Sequence, residues 1–184
     1  MGTRVELVGL DANADVIETV RAIAEQLGYD EASFEATTIA DYAGDGPVDL
    51  LVSLHACDTA SDEAIAAGVR LGADAIVVAP CCHHELAGQL AKRTKDGVLR
   101  HGVLLGRQAD LVTDALRASA LETLGYRVDV IEFVATEHTP KNVMLRAERS
   151  PSATRAARAR REYVALRDHW QVSPAIERLL GSIA

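Results

Sequence analysis

Two short apolar runs constrain this chain more than any other feature. Residues 48–54 read VDLLVSL and residues 75–79 read AIVVA, with a helix-patterned segment between them. Runs this short and this apolar suit strands buried on both faces. A strand, a helix and a second such strand in succession suit a right-handed crossover in a parallel sheet. Each run ends in chemically capable residues. The first gives His55-Ala56-Cys57-Asp58 and the second gives Pro80-Cys81-Cys82-His83-His84-Glu85. All three cysteines and three of the six histidines fall here.

The same alternation extends in both directions. Residues 4–10 (RVELVGL) form a strand followed directly by Asp11. Val16, Ile17, Val20, Ile23, Ala24 and Leu27 then recur at helical spacing, and Gly28 closes that helix. Residues 33–39 give a second strand before the polar AGDGP turn. After residues 48–54, Asp58 or Thr59 caps a helix that runs to Leu71 and stops at Gly72. Helical pattern resumes over 84–93, KDGVLRHG is a loop, and 107–124 is a long amphipathic helix. Leu111, Val112, Ala115, Leu116, Ser119 and Leu124 share one side of it. Residues 127–136 and 142–148 are strands separated only by the EHTPK turn, so they pair as an antiparallel hairpin. Helices over 152–168 and 174–183 end the chain.

The expected fold is therefore α/β: a Rossmann-like, mostly parallel sheet with an antiparallel C-terminal hairpin. Residues 1–150 make the core, and 151–184 a helical extension packed on the same domain. Ligands in such sheets bind outside the carboxyl ends of the strands. Asp11, residues 55–58, residues 81–85 and the 137–141 turn are thus expected along one sheet edge.

Bulk properties narrow the function classes. A net charge of −8 over 184 residues argues against a protein ruled by nonspecific nucleic-acid electrostatics. Residues 151–184 carry a local +3, from six arginines against Glu162, Asp168 and Glu177, which leaves −11 on the rest. Such a basic tail more often serves as a solvated helix face than as a phosphate contact. The N-terminus shows no signal-peptide pattern, and no apolar run nears the ~20 residues of a membrane span. Three cysteines, two of them adjacent, make a poor disulfide framework. The reading is a soluble protein of a reducing compartment, the cytoplasm.

The residue types leave their chemistry open. Asp11 can accept hydrogen bonds from both hydroxyls of a ribose, or it can cap the following helix, with Asp15 as a rival cap. The Cys81-Cys82-His83-His84 run invites zinc, but four consecutive residues cannot all turn onto one ion. His55, Cys57 and His138 would have to complete such a site. A cysteine nucleophile paired with a histidine is a second reading. The preferred one packs at least one cysteine as a small apolar side chain, with the backbone lining a pocket and Pro80 shaping the turn. No metal site is expected. His55 serves equally as a general base, a substrate-orienting donor or a structural histidine. Lys141 and Asn142 are ordinary turn residues taken alone.

Taken together, HACDTASD, APCCHHEL, LVTDALR and EHTPKN resemble the class I S-adenosylmethionine-dependent methyltransferases. The likeness is closest to a methyltransferase-like subfamily with HAC and PCC motifs after its fourth and fifth strands. tRNA 2′-O-methyltransferases with a Cys-Cys-His-His segment are similar in pattern. The likeness spans residues 4–180. It implies S-adenosylmethionine as cofactor, with Asp11 on its ribose. Thr38 and Ile39 fall at the adenine, where the wider fold commonly has a carboxylate. Ser53, Leu54 and His55 fall beside the methyl donor. Pro80, Cys81, Cys82, His83 and His84 fall on the substrate-pocket wall with Lys141 and Asn142. His55 and Lys141 are the candidates for contacting the acceptor, and the hairpin matches the family's antiparallel seventh strand.

One departure stands out. The family's first strand and its glycine-rich loop have no counterpart, so the sheet is expected to lack its first strand. An N-terminal segment or a partner chain would complete the site. The resemblance implies methyl transfer, with RNA as the acceptor class by kinship and Arg155, Arg158, Arg160 and Arg161 available to its backbone. A degenerate, nonenzymatic binding module is the first alternative. A metal-dependent hydrolase built on the Cys/His cluster is the second.

Overall fold

A computed structural model describes residues 5–44, 46–54, 56–92, 97–135, 137–139, 141–181 and 183. By its internal contacts the chain divides into two units, Met1–Asp45 and Gly46–Ala184.

The first unit holds β1 (Leu7–Asp11), α1 (Ala14–Leu27) and β2 (Ala32–Ala36). The two strands are parallel, with Leu7 opposite Ala32 and Asp11 opposite Ala36. α1 starts where the Asn13 side chain accepts the backbone N–H of Asp15 at 2.9 Å. It ends at Gly28, whose φ of 70° is a left-handed conformation that a side chain would strain. Ile17 and Ala24 are its buried residues. Gly9 makes room for a ring, since a Cβ there would lie 2.5 Å from Phe34 Cδ1. β2 stops at Ala36, so Thr38 and Ile39 fall beyond the strand in which the sequence placed them. The cause is local. Thr38 Oγ1 donates to Asp41 Oδ2 at 2.7 Å and accepts the Asp41 N–H at 3.1 Å, which folds the chain into a turn.

The second unit opens with β3 (Leu50–Leu54), α2 (Thr59–Arg70), β4 (Ala75–Ala79) and α3 (His84–Leu90). It continues with α4 (Gly102–Thr123), β5 (Tyr126–Glu132), β6 (Val143–Arg149), α5 (Ala153–Trp170) and α6 (Ala175–Leu180). The sheet order is β3-β4-β6-β5. β3 and β4 are parallel, and β6 runs antiparallel to both β4 and β5. The hairpin thus inserts its second strand between β4 and β5, and β5 keeps the direction of β3 and β4. This is the Rossmann-like α/β architecture with an antiparallel C-terminal hairpin.

The core of this unit is continuous. Ile65 of α2, Ile76 and Val78 of β4, Leu116 and Leu121 of α4, and Tyr163 of α5 are all buried in it. Gly68 lets α2 lie close to the sheet, because a Cβ there would sit 2.8 Å from Ile76 Cδ1. α5 packs along α4, and α6 against α2.

Two further expectations change. β3 is not buried on both faces: Leu50, Val52 and Leu54 are 55 %, 54 % and 58 % exposed. Among the described residues β3 has a single neighbour, β4, whereas β4 lies between two strands and is largely buried. α4 begins at Gly102 rather than 107, and its inward face is not the one the apolar residues suggest. Leu111 is 68 % exposed and Ala115 is exposed, while Thr113, Asp114 and Arg117 are buried beside Val112 and Leu116. The polar residues occupy the inner face because they pair there. Among the described residues no helix is long and apolar enough to cross a membrane.

Candidate functional site

Asp11 is the last residue of β1, at the carboxyl end of a parallel strand, and it is exposed. Its Oδ1 accepts the Asn13 N–H at 2.7 Å. The helix cap is Asn13, so neither Asp11 nor Asp15 plays the capping role the sequence offered them. A carboxylate has four lone-pair positions and this bond uses one, so Asp11 retains capacity to accept. Asp41, held to exposed Thr38, supplies a carboxylate in the turn that follows β2. Ile39 is half-buried.

At the carboxyl ends of β3 and β4 the cysteines meet. Cys57 Sγ lies 2.9 Å from Cys81 Sγ, which lies 3.6 Å from Cys82 Sγ. All three sulfurs fall within 4.8 Å of one another. Cys57 is exposed, and Cys81 and Cys82 are half-buried. The Cys82 thiol is pushed above its ordinary range, first by its hydrogen bond with Cys57 and then by burial.

Asp58 stitches the two loops together. Its N–H donates to the Cys82 carbonyl at 3.2 Å, and its Oδ1 accepts the Glu85 N–H at 2.9 Å. Its own carbonyl accepts from Arg117 Nη2 at 2.8 Å. The side chain expected to cap α2 therefore binds the other loop, and makes no capping bond. Asp58 has φ 55° and ψ −123°, an unfavourable conformation for a residue with a Cβ. Such a residue costs on the order of 1–3 kcal/mol. The three hydrogen bonds hold it there.

His83 turns away from the sulfurs and into the protein, where it is 5 % exposed. Its Nε2 lies 2.9 Å from Asp114 Oδ1, and its Nδ1 2.8 Å from Asp110 Oδ1. The Asp110 contact is close enough for an ion pair but off the line of a good hydrogen bond. A neutral imidazole has one N–H and can serve only one of these carboxylates. Asp110 Oδ2 then meets Lys141 Nζ at 2.5 Å. On the other side Asp114 meets Arg117 Nη1 at 3.2 Å, and Arg117 grips Asp62 with Nε at 2.9 Å and Nη2 at 2.7 Å. Burial alone would lower the Arg117 pKa, but the paired carboxylates, Asp62 foremost, outweigh it and raise it. A chain of polar contacts thus runs from the hairpin to the core.

The sequence-expected residues fall unevenly on this frame. Lys141 joins the His83 cluster through Asp110. Asn142 is buried and holds the hairpin, its Nδ2 donating to the Val134 carbonyl at 2.8 Å. Pro80 and Ser53 are buried, while Leu54 and His84 are exposed. His55 lies outside the described residues. Of the four clusters expected along one edge, the two strand-end loops and the hairpin turn meet within the second unit, and Asp11 belongs to the first. Asp62, Asp110, Asp114 and Arg117 received no role from the sequence, and Asp58 only that of a cap for α2. Asp110, Asp114 and Arg117 do recur at helical spacing along α4, and that spacing was the signal for a charged buried face.

Residues 1–89 match the family model described as a methyltransferase domain. No curated protein and no solved structure matches the chain. The match ends inside α3, so it takes in β1 to β4 and every strand-end residue from Asp11 to His84.

Proposed function

We propose that this chain takes part in S-adenosylmethionine-dependent methyl transfer. The methyltransferase-domain match over residues 1–89 carries the reading. Asp11, an exposed carboxylate at the end of a parallel strand with acceptor capacity left, suits the two hydroxyls of a ribose. Thr38 and Ile39 would line the adenine, with Asp41 as a further acceptor. The family resemblance assigns Ser53, Leu54 and His55 to the methyl donor and residues 80–84 to the substrate pocket, all within the second unit.

The sulfonium of the cofactor, when bound, supplies a methyl group already activated for transfer, so the protein's task is to align donor and acceptor. Lys141, held by Asp110, offers a fixed charged donor to orient an acceptor. The buried Asp62–Arg117–Asp114–His83 chain keeps the β4 loop rigid behind it. RNA is the acceptor class that kinship points to, and three of the four arginines offered for it on α5 already hold partners within the chain. Arg155 bonds the Ser150 carbonyl, Arg158 pairs with Glu122 and Glu162, and Arg160 bonds the Ile183 carbonyl.

One observation favours a second reading, a methyltransferase-like binding module. β3 leaves one edge without a strand among the described residues and shows Leu50, Val52 and Leu54 to solvent. An open apolar strand is a ready template for pairing. A strand from an N-terminal segment or a partner chain would pair there, and in the enzymatic reading it would complete the site.

Calorimetry with S-adenosylmethionine decides between them. Binding is expected, weakened roughly 10- to 100-fold by Asp11→Ala, in line with about 1.5–3 kcal/mol for hydrogen bonds to a charged group. No heat up to about 1 mM cofactor with folded protein would sink the enzymatic reading of this chain and leave the binding module. Unchanged affinity in Asp11→Ala would remove Asp11 from the site.

A further inference from the structure

We infer that Cys57, Cys81 and Cys82 form a binding site for a thiophilic metal ion, with zinc(II) as the ion they suit best. The inference stands on the sulfurs alone and does not depend on methyl transfer.

Geometry comes first. A tetrahedral zinc with Zn–S bonds of about 2.3 Å keeps its sulfurs roughly 3.8 Å apart. Here the Cys81–Cys82 separation is 3.6 Å, the Cys57–Cys81 separation is 2.9 Å, and all three sulfurs lie within 4.8 Å of one another. Small side-chain rotations would bring them to the bonding distance. Adjacent cysteines seldom turn the same way. This pair lies beyond the end of β4 at Ala79, outside the strand in which successive side chains alternate between faces.

Preorganisation is the second point. Cys57 and the Cys81–Cys82 pair come from different loops, and Asp58 ties those loops together through its N–H to Cys82 and its carboxylate to Glu85. Arg117, itself anchored to Asp62, fixes the Asp58 carbonyl. A strained backbone residue at the joint is the kind of cost that persists where a site needs it. The mutual approach of the sulfurs is thus set by the frame.

The donor set selects the ion. Three thiolates with no carboxylate among them favour zinc or copper(I) over magnesium or calcium. His83 does not join, because both its ring nitrogens face Asp110 and Asp114. Three protein ligands leave a fourth position for water or a soft substrate atom, the pattern of zinc sites that act on a ligand. Cys57 is exposed, so an ion has a path in.

The test uses the full chain, reduced and stripped of metal, titrated with cobalt(II) and then zinc(II). The expected result is one ion per chain and a thiolate-to-cobalt charge-transfer band of three-sulfur intensity that zinc abolishes. Bound zinc should protect all three cysteines from alkylation in the native protein, a readout that needs no variant. Cys57→Ser, Cys81→Ser and Cys82→Ser should each lose more than the roughly 10- to 100-fold that changing an outer-shell partner costs. Far-UV circular dichroism checks that each variant folds. The inference fails if the reduced, folded protein binds none of cobalt(II), zinc(II) and copper(I). It fails equally if zinc leaves the cysteines open to alkylation, or if all three serine variants bind as the parent does. Strong copper(I) binding without zinc binding would overturn the choice of zinc.

Discussion

The two units of this chain use similar strand–helix–strand grammar and hold their strand-end residues in opposite ways. In the first unit the buried apolar residues among those described are Ile17 and Ala24. The hydrogen bonds that shape its strand ends, from Asp11, Asn13 and Thr38, all lie at exposed residues. The second unit buries a continuous apolar cluster and runs an ionic chain through it, with Arg117 1 % exposed and Asp62 3 % exposed. An exposed bond competes with water and contributes about 1 kcal/mol. A buried charge has no such substitute, so losing its partner costs several times more. The strand-end residue of the first unit is therefore free to exchange its partners for a ligand's. The loops of the second unit are locked before any ligand arrives.

The largest effect should come from the lock. Arg117→Ala would leave Asp62 and Asp114 buried without their cation and release the Asp58 carbonyl. Breaking one side of a buried ionic network costs about 3–5 kcal/mol. Urea unfolding followed by circular dichroism reads that loss as a lower midpoint. Hydrogen exchange should show the amides of α2 and of the β4 loop opening earlier than before. A loss under about 1 kcal/mol, the scale of a single exposed bond, would erase the contrast between the two units.

A second effect changes in alkali. Tyr163 is fully buried, and its hydroxyl donates to Glu177 Oε2 at 3.2 Å. Burial first, and then the Glu177 charge, raise its pKa far above the usual tyrosine value. An unfolded tyrosine loses its proton near pH 10 while the folded one keeps it. Stability from this group is thus full below about pH 10 and declines above it, with a slope approaching about 1.36 kcal/mol per pH unit. Tyr126, also raised chiefly by burial, adds to the decline. Tyr163→Phe should cost about 1 kcal/mol at neutral pH and flatten the fall between about pH 10 and 11. Equal slopes for the variant and the parent would show that the tyrosine is not held in the core as described.

Much of this frame was legible because apolar patterning and turn residues act locally. The 75–79 strand is β4 to the residue, Gly28 closes α1 as its position promised, and the helix expected over 152–168 is α5, Ala153–Trp170. The hairpin pairs as expected, although β5 ends at Glu132 rather than 136, so its connection to β6 is longer than the EHTPK turn from which it was inferred. What escaped was set by partners distant in sequence. The outer face of β3 is apolar but unburied, which no local pattern reveals. Arg117 and Asp114 were visible within LVTDALR yet looked like the polar side of a helix, because Asp62 and His83 lie far along the chain. The meeting of Cys57 with Cys81 depends on two strand-end loops being tied by Asp58, and spacing within one loop carries no trace of that. Asp11 was legible as an acid at a strand end, whereas its bond to Asn13 shifts the cap by two residues from where Asp11 would have made it.

That shifted cap gives the smallest and most local prediction. Asn13 accepts the Asp15 N–H, and its own N–H is taken by Asp11. It therefore starts α1 and holds the Asp11 carboxylate in place. Asn13→Ala removes the capping oxygen but leaves its backbone N–H on Asp11, and should cost about 1 kcal/mol, within the roughly 0.5–2 usual for caps. Asn13→Asp keeps an acceptor at a helix N-terminus, where negative charge is favourable, and should restore the stability. It also sets a second carboxylate two residues from Asp11. If Asp11 meets a ribose, Asn13→Asp should change cofactor affinity little, since ribose hydroxyls are neutral donors. If Asp11 instead meets an anion, affinity should fall with the added charge. Thermal melts of the two variants, with calorimetry on Asn13→Asp, separate the structural part of this loop from its binding part. Equal stability of Asn13→Ala and the parent would mean that α1 is nucleated by its packing on β2 rather than by its cap.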